Sequence, residues 1–212
     1  MLRRAQGSLY HQPPAVREVE PGIFCLDAAR LRYVDFQRAL PQLQAAKGLI
    51  VDLRQRPTYD FSRVLLHFSA SFMLSDSTAT PLLRQPGFRG AIFLGSRSPR
   101  NPPQLPLLAA PKVFLIGPHT YSYGETIAEL VQRYHLGLLL GQPTGGTNGE
   151  MNFAAVGRTY MLSWTGRRVI TRGLSYQGVG IRPNELLTPL LAQLRQEQDA
   201  EITRAVEWLK QQ

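Results

Sequence analysis

The turn around residue 122 constrains the fold more than any other part of the sequence. An apolar run at residues 112–117 comes before it. A helical pattern follows, in which the apolar positions are Ile127, Leu130, Val131 and Tyr134. The run has the length of a buried strand, and the spacing of three and four residues is typical of an amphipathic helix. The pattern therefore predicts a strand, a short turn and a helix, with Ser122 at the start of the helix.

Ser122 has two interpretations. A serine at a helix N-terminus lies beside unpaired N–H groups that can stabilise an oxyanion, and nucleophilic serines of several hydrolase folds use this arrangement. Glu125 follows three residues later, and this spacing is also that of a capping box, in which each side chain bonds an N–H of the other residue. The turn alone leaves both a nucleophile and a helix cap open.

Two further apolar runs, at residues 49–53 and 136–141, predict strands of the same sheet. Helical patterns lie between the runs, and this alternation indicates an α/β fold. The length of 212 residues fits one domain. Residues 1–21 are polar and contain three prolines, so we expect an irregular lead-in there, followed by a single domain at residues 22–212.

Shorter patterns predict the remaining elements. We expect a helix from about Asp35 to Lys47 that bends near Pro41, and a C-terminal amphipathic helix that begins near Asp199. The other predictions are a helix at residues 60–68, strands at 23–26, 71–75, 91–94 and 178–181, a hairpin at 151–172, and a surface loop at 95–111.

The composition limits the classes of function. The net charge is +9, but the basic residues are scattered and almost all are arginines, so a nucleic-acid module has only its charge in favour and no nucleic-acid partner is expected. No apolar run reaches the roughly 20 residues that span a bilayer, and no signal peptide is predicted. Cys25 is the only cysteine and is expected to be a buried structural thiol. We expect no metal site and no cofactor.

Four segments resemble motifs of the tail-specific, or C-terminal-processing, serine peptidases, including their tricorn-like branch. The sequence KGLIVDLR at residues 47–54 is similar to the family strand GLIlDLRgNpGG. The sequence SYGE at 122–125 is similar to the nucleophile turn S-A-S/G-E, and GQPTGG at 141–146 is similar to GEPTxG. GVGIRP at 178–183 resembles the segment GVxPD. The motifs follow one another in the family order, and the resemblance extends over roughly residues 22–190.

This resemblance implies an α/β fold of the ClpP/crotonase type, a spiral of ββα units, here with a C-terminal helix. It also implies hydrolysis of a polypeptide through an acyl-enzyme, with Ser122 as the nucleophile and the Tyr123 N–H as an oxyanion donor. The matching positions for substrate binding are Arg54, Thr58, Thr144, Gly145, Gly146 and Thr147. Relatives usually act outside the cytoplasm, whereas the default without a signal peptide is cytoplasmic, so the location and the oligomeric state stay open.

The general base does not follow the family pattern. The lysine of one branch falls at Thr147, and the histidine of the tricorn-like branch comes from a segment ahead of the catalytic core. The glycines after the DLR motif are replaced by QRPTY at residues 55–59. His119 is the nearest candidate base in sequence, ahead of His11, His67 and His135, but we predict that no lysine or histidine is ideally placed.

Two functions therefore stay open. The first is a peptidase core, as the C-terminal part of a longer protein. The second is a catalytically impaired relative that binds extended peptides in the same cleft.

Overall fold

A computed structural model describes residues 13–82, 92–96, 98–170, 176–189 and 199–212 of the chain. Its helices are α1 (Tyr33–Gln44), α2 (Phe61–Leu65), α3 (Tyr123–Tyr134) and α4 (Ala200–Leu209). Its strands are β1 (Val16–Glu20), β2 (Ile23–Asp27), β3 (Gly48–Asp52), β4 (Met73–Leu74), β5 (Ser77–Leu82), β6 (Ile92–Gly95), β7 (Arg100–Asn101), β8 (Lys112–Ile116), β9 (Leu138–Gly141), β10 (Met151–Val156), β11 (Tyr160–Thr165), β12 (Arg168–Ile170) and β13 (Glu185–Leu186).

The main sheet has the strand order β1-β2-β3-β8-β9-β13. β1 runs antiparallel to β2, and the other neighbours are parallel. The three apolar runs are thus neighbouring strands of one sheet, as predicted. β3 and β8 are almost entirely apolar because helices cover both faces of a parallel sheet.

Alternate residues of the central strands face two separate cores. One core lies under α1, α2 and α3, where Val51, Phe114 and Leu139 pack against α3. The other lies under α4, where Ile50, Leu115 and Leu140 pack with the helix residues Ala205 and Leu209. The predicted packing of α3 on the sheet is confirmed.

Three small sheets lie apart from the main one. They are the hairpin β10–β11, the sheet β12-β5-β6 and the pair β4–β7. The hairpin predicted at 151–172 is confirmed over residues 151–165, with Met151 opposite Thr165 and Val156 opposite Tyr160, whereas residues 168–170 pair with β5. Most of its side chains are exposed on both faces. Within the described ranges, no helix has the length and apolarity that a bilayer crossing requires.

The structure corrects several predicted elements. Residues 16–20 of the expected irregular lead-in form β1, because this segment can pair antiparallel with the edge of β2. The surface loop predicted at 95–111 contains β7, which pairs with β4. The first two helices are shorter than expected. α1 begins after Arg32 and ends at Gln44, and it continues through Pro41, whereas α2 ends at Leu65.

Residues 178–181 form no strand, contrary to the sequence prediction. The N–H groups of Val179 and Gly180 both donate to the Tyr176 carbonyl oxygen, at 3.0 and 2.8 Å, which closes a turn. Gly178 and Gly180 have φ values of 78° and 76°, in the left-handed region that glycine adopts without strain. The glycines that flank Val179 therefore outweigh its strand preference.

Candidate active site

Ser122 lies in a sharp turn between β8 and α3. Its backbone has φ 53° and ψ −119°, a conformation that non-glycine residues rarely adopt. Thr120 fixes the approach to the turn, because its hydroxyl donates to the Leu53 carbonyl oxygen at 2.7 Å and accepts the Gly117 N–H at 3.0 Å. A strained strand-to-helix turn of this kind exposes the serine hydroxyl beyond the end of the strand.

Glu125 closes the start of the helix together with Ser122. The pair has the capping-box arrangement, and the Ser122 N–H donates to Glu125 Oε2 at 3.2 Å. The Glu125 N–H donates to the Ser122 carbonyl oxygen at 2.9 Å and lies beside the Ser122 side chain in the capping box. The predicted capping role of Glu125 is confirmed, and the Ser122 side chain is half-buried.

The Tyr123 N–H is the first free donor of α3. No described residue accepts a hydrogen bond from it. Such N–H groups carry the positive end of the helix dipole. The Tyr123 ring lies 5.5 Å from the Tyr59 ring, centre to centre, and burial raises the pKa of its phenol. The backbone of Tyr123 thus offers a donor directly beside the Ser122 hydroxyl.

Glu125 also holds the glycine-rich turn that follows β9. Its buried carboxylate accepts the Thr144 hydroxyl and the Gly146 N–H, both at 2.7 Å, and the Thr147 N–H at 2.9 Å. Gly146 has a φ of 69°, and a Cβ there would lie 3.0 Å from the Val179 nitrogen. The carboxylate therefore fixes this turn against the turn that carries Ser122.

Arg54 joins the end of β3 to the start of α4. It forms ion pairs with Asp52 at 2.7 Å, with Asp199 at 2.8 Å and with Glu201. Burial alone would raise the pKa of Asp199, but the hydrogen bonds from Arg54 outweigh burial and lower it. The structural role expected for Asp52 is confirmed. Arg54, a predicted substrate-binding residue, has three carboxylate partners inside the protein.

Ser122 opens on a cavity of about 610 Å³. Its apolar wall is formed by the rings of Tyr59 and Tyr123 together with Met151, Phe153 and Val169. The polar lining residues are Arg56, Ser75, Asp76, Thr78, Ser122, Thr126, Asn148 and Glu150, with Gly149 between the last two.

The acidic groups of this cavity are paired with arginines. Asp76 pairs with Arg133 at 2.8 Å, and Glu150 pairs with Arg167 at 2.6 Å. Glu129 is buried and pairs with the same Arg133. Burial and the negative charge of Asp76 raise the pKa of Glu129 to about 7, while Arg133 acts in the opposite direction. Both cavity carboxylates are therefore held in ion pairs.

Sequence reasoning located only part of this cavity. Ser122 and Tyr123 line it, whereas Thr144, Gly146 and Thr147 do not line it and donate to Glu125. Thr58 donates to the Leu31 carbonyl oxygen at 2.8 Å and its N–H donates to Ala28, while Gly145 donates to Thr120 at 3.0 Å. The cavity is lined by residues from Asn148 to Phe153 and not by the expected substrate-binding positions at 144–147. The alternation at 151–156 marked this strand, but no local pattern placed it beside Ser122.

The candidate bases lie elsewhere. His119 and Arg54 line a separate cavity of about 360 Å³. His67 contacts the Tyr33 hydroxyl and the Pro106 carbonyl oxygen, and His135 caps the far end of α3. Lys112 begins β8, where burial lowers its pKa to about 8. No lysine or histidine of the described ranges lines the Ser122 cavity, while His11 falls outside those ranges.

The described residues contain no group of three or more His, Cys, Asp or Glu side chains that could hold a metal ion. The Cys25 thiol lies buried in the core under α4, and burial raises its pKa to about 12.

A comparison with known protein families identifies the family of the chain. The model of peptidase family S41 matches residues 71–187, more than half of the chain. The chain belongs to peptidase family S41. The matched stretch contains the Ser122 turn, the 141–147 turn and the hairpin, whereas the DLR strand lies before it.

Solved structures of similar proteins share the fold. A peptidase candidate from Parabacteroides merdae is 15% identical, with a TM-score of 0.75 over 92% of this chain and 63% of that chain. The photosystem II D1 C-terminal processing protease is 18% identical, with a TM-score of 0.56 over 79% of this chain and 42% of that chain. The tricorn protease is 13% identical, with a TM-score of 0.57 over 89% of this chain and 17% of that chain. No curated protein sequence matches the chain.

The chain thus spans less than two thirds of the length of these S41-like structures. The fold, a mixed α/β arrangement around one main sheet, is shared with them. Thr147, where the motif comparison predicts the lysine of one branch, donates its N–H to Glu125.

Proposed function

We propose that this chain is a serine-type peptidase core that hydrolyses peptide bonds through an acyl-enzyme on Ser122. The observation that carries the proposal is the strained backbone of Ser122 at the mouth of a cavity, with the unbonded Tyr123 N–H beside it. A strained conformation persists only where the surroundings hold it, and such residues cluster at active sites.

The proposed reaction starts with attack of the Ser122 Oγ on the carbonyl carbon of the scissile bond, while the hydroxyl proton passes to a base. The Tyr123 N–H donates to the oxyanion of the tetrahedral intermediate. The N–H of Gln55 or Arg56 is available as a second donor, since neither has an acceptor among the described residues. Collapse of the intermediate releases the amine and leaves an ester on Ser122, which water then hydrolyses.

We propose that the base comes from outside the described residues. The cavity carboxylates are occupied by arginines, and within the described part of the chain neither a lysine nor a histidine lines the cavity. His11 and a further segment of a longer protein are the two sources, and the partial coverage of the related structures supports the second. His119 remains a predicted base with less support, because it lines a different cavity.

The proposed substrate is an extended polypeptide. The Ser122 cavity shares Arg56 with a neighbouring cavity of about 530 Å³, and this second cavity shares Gln55 with the one that His119 lines. Three joined depressions along one loop fit several residues of an extended chain on both sides of the scissile bond. Such chains are often bound by main-chain hydrogen bonds to an exposed strand.

The finer fold is also part of the proposal. We infer that β3, β8 and β9, with the helices between them, belong to a ClpP/crotonase-like spiral of ββα units in a single domain over residues 22–212, to which β1 adds an edge strand. The parallel order of these strands and the helices packed on one face support this arrangement.

The test compares hydrolysis of an unfolded polypeptide by the wild-type chain, Ser122→Ala and Ser75→Ala. Ser75 lines the same cavity and is a matched control. We expect slow cleavage by the wild type and by Ser75→Ala, and none by Ser122→Ala. Equal cleavage by Ser122→Ala would contradict the proposal. Binding of the polypeptide without any cleavage by the wild type would instead establish the non-catalytic relative.

A further inference from the structure

We propose that Arg56 forms a carboxylate-binding subsite beside Ser122, which selects polypeptides that carry an acidic group near the scissile bond. The inference rests on the proposed function only in taking a polypeptide as the occupant of the Ser122 cavity. Arg56 stands in the loop where the related motif has glycines, so the loop presents a cation at this position.

Arg56 lies between two neighbouring cavities. This exposed residue lines the Ser122 cavity of about 610 Å³ and also the adjacent cavity of about 530 Å³. The second cavity is lined by Tyr121, the residue before Ser122. A chain that passes from one cavity to the other must cross Arg56 close to the reactive hydroxyl.

The guanidinium of Arg56 contacts one aromatic residue, Tyr59. Arg56 Nη2 donates to the Tyr59 hydroxyl at 2.8 Å, and Arg56 Cζ lies 5.1 Å from the Tyr59 ring centre. Tyr59 in turn packs against Tyr123, which follows Ser122 in the chain. Pro57 restricts the backbone next to Arg56. These contacts reduce the conformational entropy that Arg56 loses when it binds a ligand.

The carboxylates around Arg56 are already paired with other arginines. The carboxylates that line the two cavities are those of Asp27, Asp76 and Glu150, and each has an arginine partner: Arg30, Arg133 and Arg167 respectively. Among the described residues, no carboxylate pairs with Arg56. One uncompensated positive charge therefore faces the path of the substrate.

The chemistry of guanidinium indicates the ligand. Its planar fork matches a carboxylate through two parallel hydrogen bonds, and it is more weakly hydrated than an ammonium group. A polypeptide supplies a carboxylate from an Asp or Glu side chain or from its own C-terminus. Both sources share the same chemistry, and peptides that differ only in these groups distinguish them.

The experiment measures binding in the absence of hydrolysis. A dye-labelled peptide of ten residues with a central glutamate is titrated with Ser122→Ala, and fluorescence anisotropy gives the Kd. Three matched peptides replace the glutamate by glutamine, amidate the C-terminus, or do both. The glutamate pair reports a side-chain carboxylate, and the amidated pair reports a terminal carboxylate.

The variants are Arg56→Gln and Arg56→Lys, each made on Ser122→Ala. Arg100→Gln is the control, because Arg100 also lies over an aromatic ring, 4.0 Å from the Phe72 ring centre, but does not line either cavity. We expect one of the two carboxylates to tighten binding by about tenfold, or about 1.4 kcal/mol. Arg56→Gln should remove this preference, Arg56→Lys should keep part of it, and Arg100→Gln should leave it unchanged.

The outcomes separate this inference from the proposed function. Equal Kd values for all four peptides, or a carboxylate preference that survives Arg56→Gln, would overturn the subsite. A preference that depends on Arg56 supports it even if the wild-type chain cleaves none of the peptides, in which case the peptidase proposal fails alone. A Kd of about 1 mM marks a weak complex. If no peptide binds at protein concentrations up to about 1 mM, the subsite is also overturned.

Discussion

Ser122 combines a helix-start position, which the sequence predicts, with a backbone strain that the sequence does not reveal. The spacing of Ser122 and Glu125 fits a cap, and the structure confirms the capping role of Glu125. A plain cap residue adopts extended backbone angles, whereas Ser122 has φ 53° and ψ −119°. Local sequence patterns cannot reveal this difference, because it arises from the way Thr120 and Glu125 fix the turn on both sides.

The strain predicts an unusual order of stability at this residue. Ser122→Ala and Ser122→Gly both remove the hydroxyl, but glycine adopts a positive φ without strain. We expect Ser122→Gly to have the higher free energy of unfolding, by about 1 kcal/mol, after the greater flexibility of glycine in the unfolded chain is subtracted. Urea denaturation followed by circular dichroism measures the difference.

Ser62 provides the control for this comparison. It lies on the exposed face of α2, where alanine favours the helix over glycine by about 1 kcal/mol. The order of the two variants should therefore be reversed at Ser62. If the alanine variant has the higher free energy of unfolding at both positions, Ser122 is not strained.

At the scale of elements, prediction succeeded where one element carries its own pattern. The β8–α3 unit has an apolar run followed by a helical period, and both elements are where the sequence placed them. The segment at 178–181 failed because its glycines decide the backbone. The lining of the cavity by β10 was missed because it depends on contacts between segments far apart in the chain.

The attachment of α4 to the main sheet gives an element-scale prediction. The Asp199 side chain accepts the Ile202 N–H at 3.0 Å and pairs with Arg54. Asp199→Asn keeps the cap and loses the ion pair, which should lower the free energy of unfolding by less than about 1 kcal/mol because the carboxylate is partly exposed. Asp199→Ala also loses the cap, which should lower the free energy of unfolding by about 1 kcal/mol more.

Salt separates the two contributions. The effect of Asp199→Asn should shrink at high salt, since salt screens partly exposed ion pairs, and the difference between the two variants should persist. Glu207→Gln is the control, because Glu207 is an exposed residue of α4 with a distant pair to Arg204 at 3.4 Å. An equal effect of both Asp199 variants would contradict the capping role of Asp199.

At the scale of the whole molecule, the fold brings together three segments at the carboxyl edge of the parallel strands. The Arg54 network follows β3, Ser122 follows β8, and the turn held by Glu125 follows β9. Ligands of open α/β sheets bind at this edge. The motifs in the sequence located these segments, and membership of family S41 joins them to peptidases. The motifs did not identify the base, because the position expected for the lysine of one branch carries Thr147.

The most direct test of the central claim is covalent labelling of the serine by a fluorophosphonate, with the modified residue located by mass spectrometry. We predict a single adduct on Ser122 that forms slowly, because no described lysine or histidine lines the cavity. Ser75→Ala and His119→Gln should label at the wild-type rate, and Ser122→Ala should not label. An adduct on another residue, no adduct at all, or labelling that is lost in His119→Gln would contradict the account.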